Sequence, residues 1–373
     1  MTKMLDGIGT SATRREDSRF IRGAGRYTDD LAAEGDLTGL FIRAEVAHGR
    51  ILSATLDDAR AVPGVVAILT GEDAAADGLG TLKTTAPVTN RDGTSMIEAY
   101  RPILPRTHVH HVGQPLALIV AESMAAARDA ADLVWFEIED LGAVTEAGTE
   151  SPALHDVAPD NMIFDWGAGD AEGTADAIAS APHTVSVRLR TQRICGAALE
   201  GRAVVARPDP ANDRIELTSA SQGVHLLHYQ IARNALHWPK EKLRVVTHDV
   251  GGGFGPKFFA YPEQAAIVWA ASKLQRPVRW TSSRTESFVS ETHARPQVTQ
   301  ATLGFDDDGR FLALQVDALA DLGAFLSTFG PGNPTDSMAK VASGMYALPR
   351  IAIRSRAYYT STVPIDAYRG AGK

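Results

Sequence analysis

The stretch VGGGFGPKFFAYPEQAAIVWAASKL, from Val250 to Leu274, constrains the fold more than any other part of this chain. Glycines 251, 252, 253 and 255 follow the β-branched run LRVVTHDV. They precede a segment whose apolar residues at Ile267, Ala270, Ala271 and Leu274 have the spacing of one buried helical face. Pro262 suits the first turn of that helix. A strand, a loop of unusual backbone freedom and a helix, in that order, belong to a mixed α and β chain.

Two phosphate-binding patterns fail against the loop. A Gly-Lys-Ser/Thr ending is missing, because Lys257 sits between Pro256 and Phe258 and no hydroxyl is placed for Mg²⁺. The dinucleotide fingerprint needs a third glycine where Pro256 stands, and no acidic residue closes a following strand at the right distance. Two readings remain open. Successive N–H groups near a helix start can form a nest for an oxygen-rich, anionic ligand, or the glycines simply make a tight strand-to-helix turn.

The rest of the chain alternates short elements. LTGLFIRAEVAH (37–48) reads as a strand, residues 57–61 as a short helix and 65–69 as a strand after the Pro63-Gly64 turn. Residues 116–120, 122–133 and 134–138 read as strand, helix and strand, which suggests a parallel pair or a split β-α-β arrangement. Residues 140–161 lack either period and are expected to be a linker, with the segment to about Arg15 extended. Beyond the linker come strands over 183–194, 201–210, 214–221 and 243–250, a helix over 223–236, and a hairpin at Asp307-Asp308-Gly309. At 373 residues, two or three units are the expectation.

Composition excludes several classes. The 37 Lys+Arg against 45 Asp+Glu give −8 with no block of like charge, which argues against a nucleic-acid surface. Cys195 is the only cysteine, so the chain cannot itself hold an intrachain disulfide or an iron–sulfur cluster. No run approaches a membrane span and the N-terminal residues lack the apolar middle of a signal peptide, so a cytoplasmic protein is expected. His108, His110 and His111 raise a metal reading, set aside for want of a carboxylate at ligand spacing; a surface strand is expected there.

Five stretches in order then resemble one family. VGGGFGPK is similar to the glycine loop of the molybdenum hydroxylases, which include xanthine dehydrogenase, aldehyde oxidase and the large subunit of aerobic carbon monoxide dehydrogenase. RFIRGAGRYTDD (19–30), LEGRAVVARPDP, TSASQGVH and PIDAYRGAGK resemble further motifs of that family. The resemblance implies an α+β fold. Residues 16–140 would be an aldehyde oxidase/xanthine dehydrogenase-type α/β hammerhead domain, and 162–373 the first molybdopterin-binding domain, truncated at its C-terminal end.

By the same resemblance, Gln222 matches the glutamine that hydrogen-bonds an oxygen ligand of molybdenum, the alternative being a helix-capping surface residue. Gly253, Phe254 and Gly255 match the loop that approaches the metal, and Arg369 with Gly370 a second contact turn, the alternative for Arg369 being an ordinary ion pair. The carbon monoxide branch has a copper-holding cysteine where Gly370 stands, and the purine branch a glutamate where Phe258 stands. A pocket edged by Phe258 and Phe259 would suit an aldehyde or an N-heterocycle. Asp170 in WGAGD precedes the glycine loop, so it is read as a loop residue and not as the family's general base.

The family reaction is oxidative hydroxylation with water as the oxygen source. The implied cofactor is molybdopterin in its cytosine dinucleotide form, with electrons passing to a [2Fe–2S] small subunit and a FAD-binding medium subunit. The catalytic base is expected outside this chain, whose sequence reaches Lys373 within the Arg-Gly turn. Three forms fit: one part of a split catalytic subunit completed by a separate chain, a truncated product, or a non-catalytic scaffold of the same fold.

Overall fold

The computed structural model describes residues 7, 9 and 11–371, so part of the expected extended segment 1–15 and the last two residues lie outside it. Seven strands form the main sheet in the order Leu243–Val246, Arg214–Ser219, Ala203–Asp209, Val278–Thr281, Leu37–Arg43, Pro115–Ala121 and Val65–Thr70. Its middle joins distant chain: Leu37–Arg43 runs parallel to Val278–Thr281, with Leu37 opposite Val278. Pro115–Ala121 is buried at every position, as its unbroken apolar run requires of a strand covered on both faces.

The helix Pro262–Leu274 packs on this sheet, against Ala203–Asp209, Val278–Thr281, Arg214–Ser219 and Pro115–Ala121. Pro262 occupies its first turn as expected. The expectation of one buried face is corrected: every residue from Pro262 to Ala271 is buried. Alanines carry a helix through such a site because they fill little volume, while Ile267, Val268 and Trp269 each contribute about 1.5–3 kcal/mol by burial.

A second sheet has the order His183–Thr191, Gln297–Phe305, Phe311–Asp321, Arg350–Tyr358 and Met162–Gly169. The hairpin at Asp307-Asp308-Gly309 joins its second and third strands, with Gly309 at φ +78°. The expected strand–helix–strand unit over 116–138 is also corrected. Trp135–Asp140 lies in a separate three-stranded sheet, antiparallel to Gly49–Thr55, so it does not pair with Pro115–Ala121. Its alternating exposure suits an outer sheet, whereas the buried strand belongs to the core.

Residues 141–161 hold no helix or strand and are largely exposed, yet they are pinned at Val144, Leu154, Ala158 and Asn161. Val144 exchanges hydrogen bonds with Ser361, Leu154 and Ala158 are buried, and the Asn161 side chain bonds Leu154 and Pro152. The segment is a strap over the second sheet.

Candidate functional site

The glycine loop is held from behind by charge. Glu200 Oε2 accepts from the Gly251 N–H at 2.7 Å and from Lys257 Nζ at 2.9 Å, Oε1 accepts from the Thr28 N–H at 3.4 Å, and the Glu200 N–H donates to the Gly251 carbonyl. Lys257 is buried, and burial draws its pKa below the ordinary lysine value against the opposing pull of Glu200. Asp249, two residues before the glycines, takes both guanidinium nitrogens of Arg19 and the Arg26 N–H. Those hydrogen bonds hold its carboxyl down to about 2. The RFIRGAGRYTDD motif is thereby a strap on the loop.

On the open side the loop meets Gln222 and the Arg-Gly turn. Gln222 Oε1 accepts from the Gly255 N–H at 2.9 Å, and the Arg369 N–H donates to the Phe254 carbonyl at 2.8 Å. The Arg369 guanidinium lies 5.7 Å from the centre of the Phe254 ring, and Arg295 donates to the Arg369 carbonyl at 3.0 Å. Residues from 222, 251–255 and 369, far apart in sequence, thus converge. Phe254 and Arg369 both adopt positive φ, 54° and 25°, which a non-glycine residue holds only where its surroundings fix it.

The glycines serve this convergence directly. A Cβ on Gly253 would fall 2.5 Å from the Gln222 carboxamide, and one on Gly255, at φ +113°, 2.3 Å from the Ala367 carbonyl oxygen. Both are needed for the loop to close on its own neighbours, which explains them before any ligand is considered.

What the convergence leaves over is a set of donors. Among the described residues, the N–H groups of Gly252, Gly253 and Phe254 have no protein acceptor, and Gln222 Nε2 has no partner. Three consecutive free N–H groups beside a free carboxamide N–H fit an oxygen-rich anionic group. The donor set therefore fits a molybdenum-centred oxygen cluster.

Beneath the loop sits a buried ion cluster. Glu263 accepts from Arg202 at 3.0 Å and from Arg43 at 2.9 Å, and Arg202 lies 4.1 Å from the centre of the Tyr261 ring. Burial opposes ionisation of Glu263, but these arginines hold it well below the usual carboxylate range. The Glu-Gly-Arg-Ala motif thus places Glu200 on the loop and Arg202 on the helix.

Phe258 is 39% exposed and packs its ring over Gly223. Phe259, expected beside it at a pocket edge, is instead buried at 3%, edge-on to Phe258, because the chain is turning into the core helix there. An open cavity of about 260 Å³ adjoins the Arg-Gly turn, lined in part by Tyr368, Gly370, Asp366 and Arg295. Asp366 is buried. Its carboxylate accepts from Ser327 Oγ and from the Phe329 and Ala367 N–H groups, and burial pushes its pKa up to about 7.

Other residues fall elsewhere. Asp170 caps the helix Ala171–Ala179 and pairs with Arg350 at 2.7 Å. Cys195 lies half-buried on a short strand with His293. Of the surface strand expected around His108, His110 and His111, a strand forms at His108–Val109 only, and the surface placement is corrected: His111 is fully buried and His110 stacks on His155 at 4.5 Å. The partners that draw these rings inward, His155 and Phe325, are far off in sequence. Glu200, Asp249 and Asp366 carry no role in the sequence reading, and Lys257 enters it only in rejecting a P-loop, although each lies within or next to a recognised motif; charge inside an otherwise apolar or glycine-rich run is the available signal.

Residues 22–142 match the aldehyde oxidase and xanthine dehydrogenase a/b hammerhead domain, and residues 154–373 the molybdopterin cofactor-binding domain. The carbon monoxide dehydrogenase large chain of Hydrogenophaga pseudoflava is 32% identical over 96% of this chain and 45% of its own. The nicotine 6-hydroxylase large subunit of Paenarthrobacter nicotinovorans is 29% identical over 98% of this chain and 44% of its own. The crystal structure of quinoline 2-oxidoreductase from Pseudomonas putida 86 superposes with a TM-score of 0.89 at 33% identity, covering 98% of this chain and 46% of that one. The chain thus spans less than half the length of these relatives. It belongs to the molybdopterin-binding family of aldehyde oxidase and xanthine dehydrogenase.

Proposed function

We propose that this chain forms the molybdopterin-contacting part of a molybdenum hydroxylase that oxidises an aldehyde or an N-heterocycle. The observation that carries this reading is the row of unpartnered N–H groups at Gly252, Gly253 and Phe254, flanked by Gln222 and by the Arg369 turn. When bound, the cofactor supplies oxidative hydroxylation with water as the oxygen source. The chain's own residues would hold and orient it: Gln222 Nε2 would serve as a hydrogen-bond donor, the loop N–H groups would neutralise negative charge, and Arg369 and Gly370 would flank it at the second turn. The cytosine dinucleotide form of molybdopterin is part of this proposal.

The substrate class rests on two positions. Gly370 stands where the carbon monoxide branch has its copper-binding cysteine, and Phe258 gives the site an exposed aromatic edge. Quinoline 2-oxidoreductase and nicotine 6-hydroxylase carry N-heterocycles in their names, which supports the same class. These residues carry one cysteine, too few for an iron–sulfur cluster, and in this reading electrons leave through a [2Fe–2S] small subunit and a FAD-binding medium subunit. Among the described residues no helix is long and apolar enough to cross a membrane, and we place the assembly in the cytoplasm.

Co-expression with a polypeptide equivalent to the rest of the relatives' length tests this. About one molybdenum per chain by elemental analysis, with activity on aldehydes or N-heterocycles using an artificial acceptor, is the expected result. A folded assembly free of molybdopterin overturns it.

A further inference from the structure

Away from the loop, the seam between the first 140 residues and the later ones holds a stack of imidazoles. His110 lies nearly parallel to His155 at 4.5 Å between ring centres, with His48 at 5.9 Å and His108 at 6.1 Å from His110. Phe325 packs against both rings of the pair, and Tyr359 stands edge-on to His155. His48, His108 and His110 come from the hammerhead side, His155, Phe325 and Tyr359 from the later part. A cleft of about 550 Å³ opens alongside, with His108, His110, His155 and Phe325 in its wall.

Three imidazoles at the seam donate to backbone carbonyls. His48 Nδ1 meets the Gly142 carbonyl, His155 Nε2 the Ala324 carbonyl and His111 Nδ1 the Val112 carbonyl, so each of these nitrogens donates. His110 Nδ1 and His111 Nε2 are buried without a partner. The charged groups facing the stack only partly counter a proton on it. Asp156 favours a proton on His155, while His111 faces Arg101 and Arg43, and the nearby Glu263 is bonded to Arg43 and Arg202.

We propose that this stack is an acid-operated release: uncharged rings close the seam at neutral pH, and protonation of His110 and His155 drives them apart and widens the cleft. Because the main sheet runs through both parts of the chain, the release is local. Burial first, then the neighbouring histidines, pushes His110 down to about 2; burial likewise lowers His155 and takes His111 to about 3. These groups are depressed in the closed form, so closure is fully favoured above the ordinary imidazole value near 6.5. Below it, the open form gains up to about tenfold per released histidine for each pH unit.

Hydrogen exchange of the full chain at pH 7.5 and pH 5.0, corrected for intrinsic rates, tests this in peptides covering 106–112, 153–158 and 323–327, with 115–121 as reference. At pH 5.0 the seam peptides are expected to lose at least tenfold in protection while 115–121 keeps its own. His110→Phe, which keeps a ring but cannot take a proton, should reduce that loss, and His225→Phe, at an exposed position outside the seam, should leave it unchanged. Retained protection at pH 5.0, a loss shared equally by 115–121, or a full loss in His110→Phe overturns the proposal. If His110→Phe does not fold, His155→Gln is judged by the same criterion.

Discussion

The glycine loop and the histidine seam both tie distant segments together with buried polar groups, yet they do so in opposite ways. The loop is fixed by ionised pairs of opposite sign, Glu200 with Lys257 and Asp249 with Arg19, whose remaining valences are filled by backbone N–H groups. The seam stacks like with like: His110 lies on His155, with His48 next to it, and no ion pair joins these rings among the described residues. A matched charge pair is broken by removing one partner; a neutral stack is broken by adding a proton. The loop should therefore respond most to mutation, the seam most to pH.

The largest effect should come from splitting the charge pair behind the loop. Glu200→Ala leaves Lys257 buried without its hydrogen-bonded counter-charge, with only the unbonded Glu291 of opposite sign acting on it, at a cost of about 3–5 kcal/mol. Lys257→Met removes the more deeply buried charge and leaves Glu200 its bonds to Gly251 and Thr28, so it should cost clearly less. Urea unfolding of both variants checks the asymmetry. Equal losses would mean that the pair acts by packing and not by charge.

Asp366 provides the sharpest contrast with the seam. Its folded pKa is raised by burial from the ordinary 3.8 to about 7, so the folded form binds this proton more tightly than the unfolded form. That contribution is fully present below 3.8 and is lost as pH rises to about 7, by roughly 4 kcal/mol. The seam histidines have the opposite sign and lose stability as pH falls below about 6.5. Unfolding midpoints of Asp366→Asn and wild type, compared from pH 5 to 8, should diverge up to pH 7 and then run parallel. Parallel profiles throughout would show that the carboxyl stays ionised.

The same contrast decides what could be read from the sequence. The loop was legible because its constraint is local: glycine at 253 and 255 reflects contacts with Gln222 and Ala367 that no side chain would tolerate, and such residues leave a compact motif. The helix after it was legible as a helix but not as a fully buried one, since alanines at 265, 266, 270 and 271 do not show how many faces are covered. Of the seam, only the cluster His108, His110 and His111 was visible, and not its partner His155. His110 and His155 meet only after the strap 141–161 has folded across, and neither neighbourhood carries a pattern that announces the other. The pairing of Leu37–Arg43 with Val278–Thr281 escaped for the same reason: parallel neighbours more than 200 residues apart leave no local trace.

Backbone strain in the loop should come next in size. Gly255→Ala places a Cβ against the Ala367 carbonyl at positive φ and should cost on the order of 3 kcal/mol. Gly309→Ala meets open space at φ +78°, so it carries the conformational cost alone, about 1 kcal/mol. Thermal unfolding of the two separates contact from conformation. A Gly309→Ala loss as large as that of Gly255→Ala would remove the argument that the loop is closed by close approach.

The smallest effect on stability should fall on Gln222. Its carboxamide makes one bond, to the Gly255 N–H, at an exposed position where water can replace it, so Gln222→Leu should cost less than about 1 kcal/mol. Gln222→Glu keeps an acceptor for Gly255 and removes only the free Nε2 donor, putting negative charge where an anionic ligand would sit. If that donor faces a molybdenum–oxygen group, Gln222→Glu in the co-expressed assembly should fold as wild type and still lose most of its molybdenum, with Gln222→Leu losing less. Unchanged molybdenum in both variants would make Gln222 a loop-positioning residue only, and would leave the three loop N–H groups to carry the anion site without it.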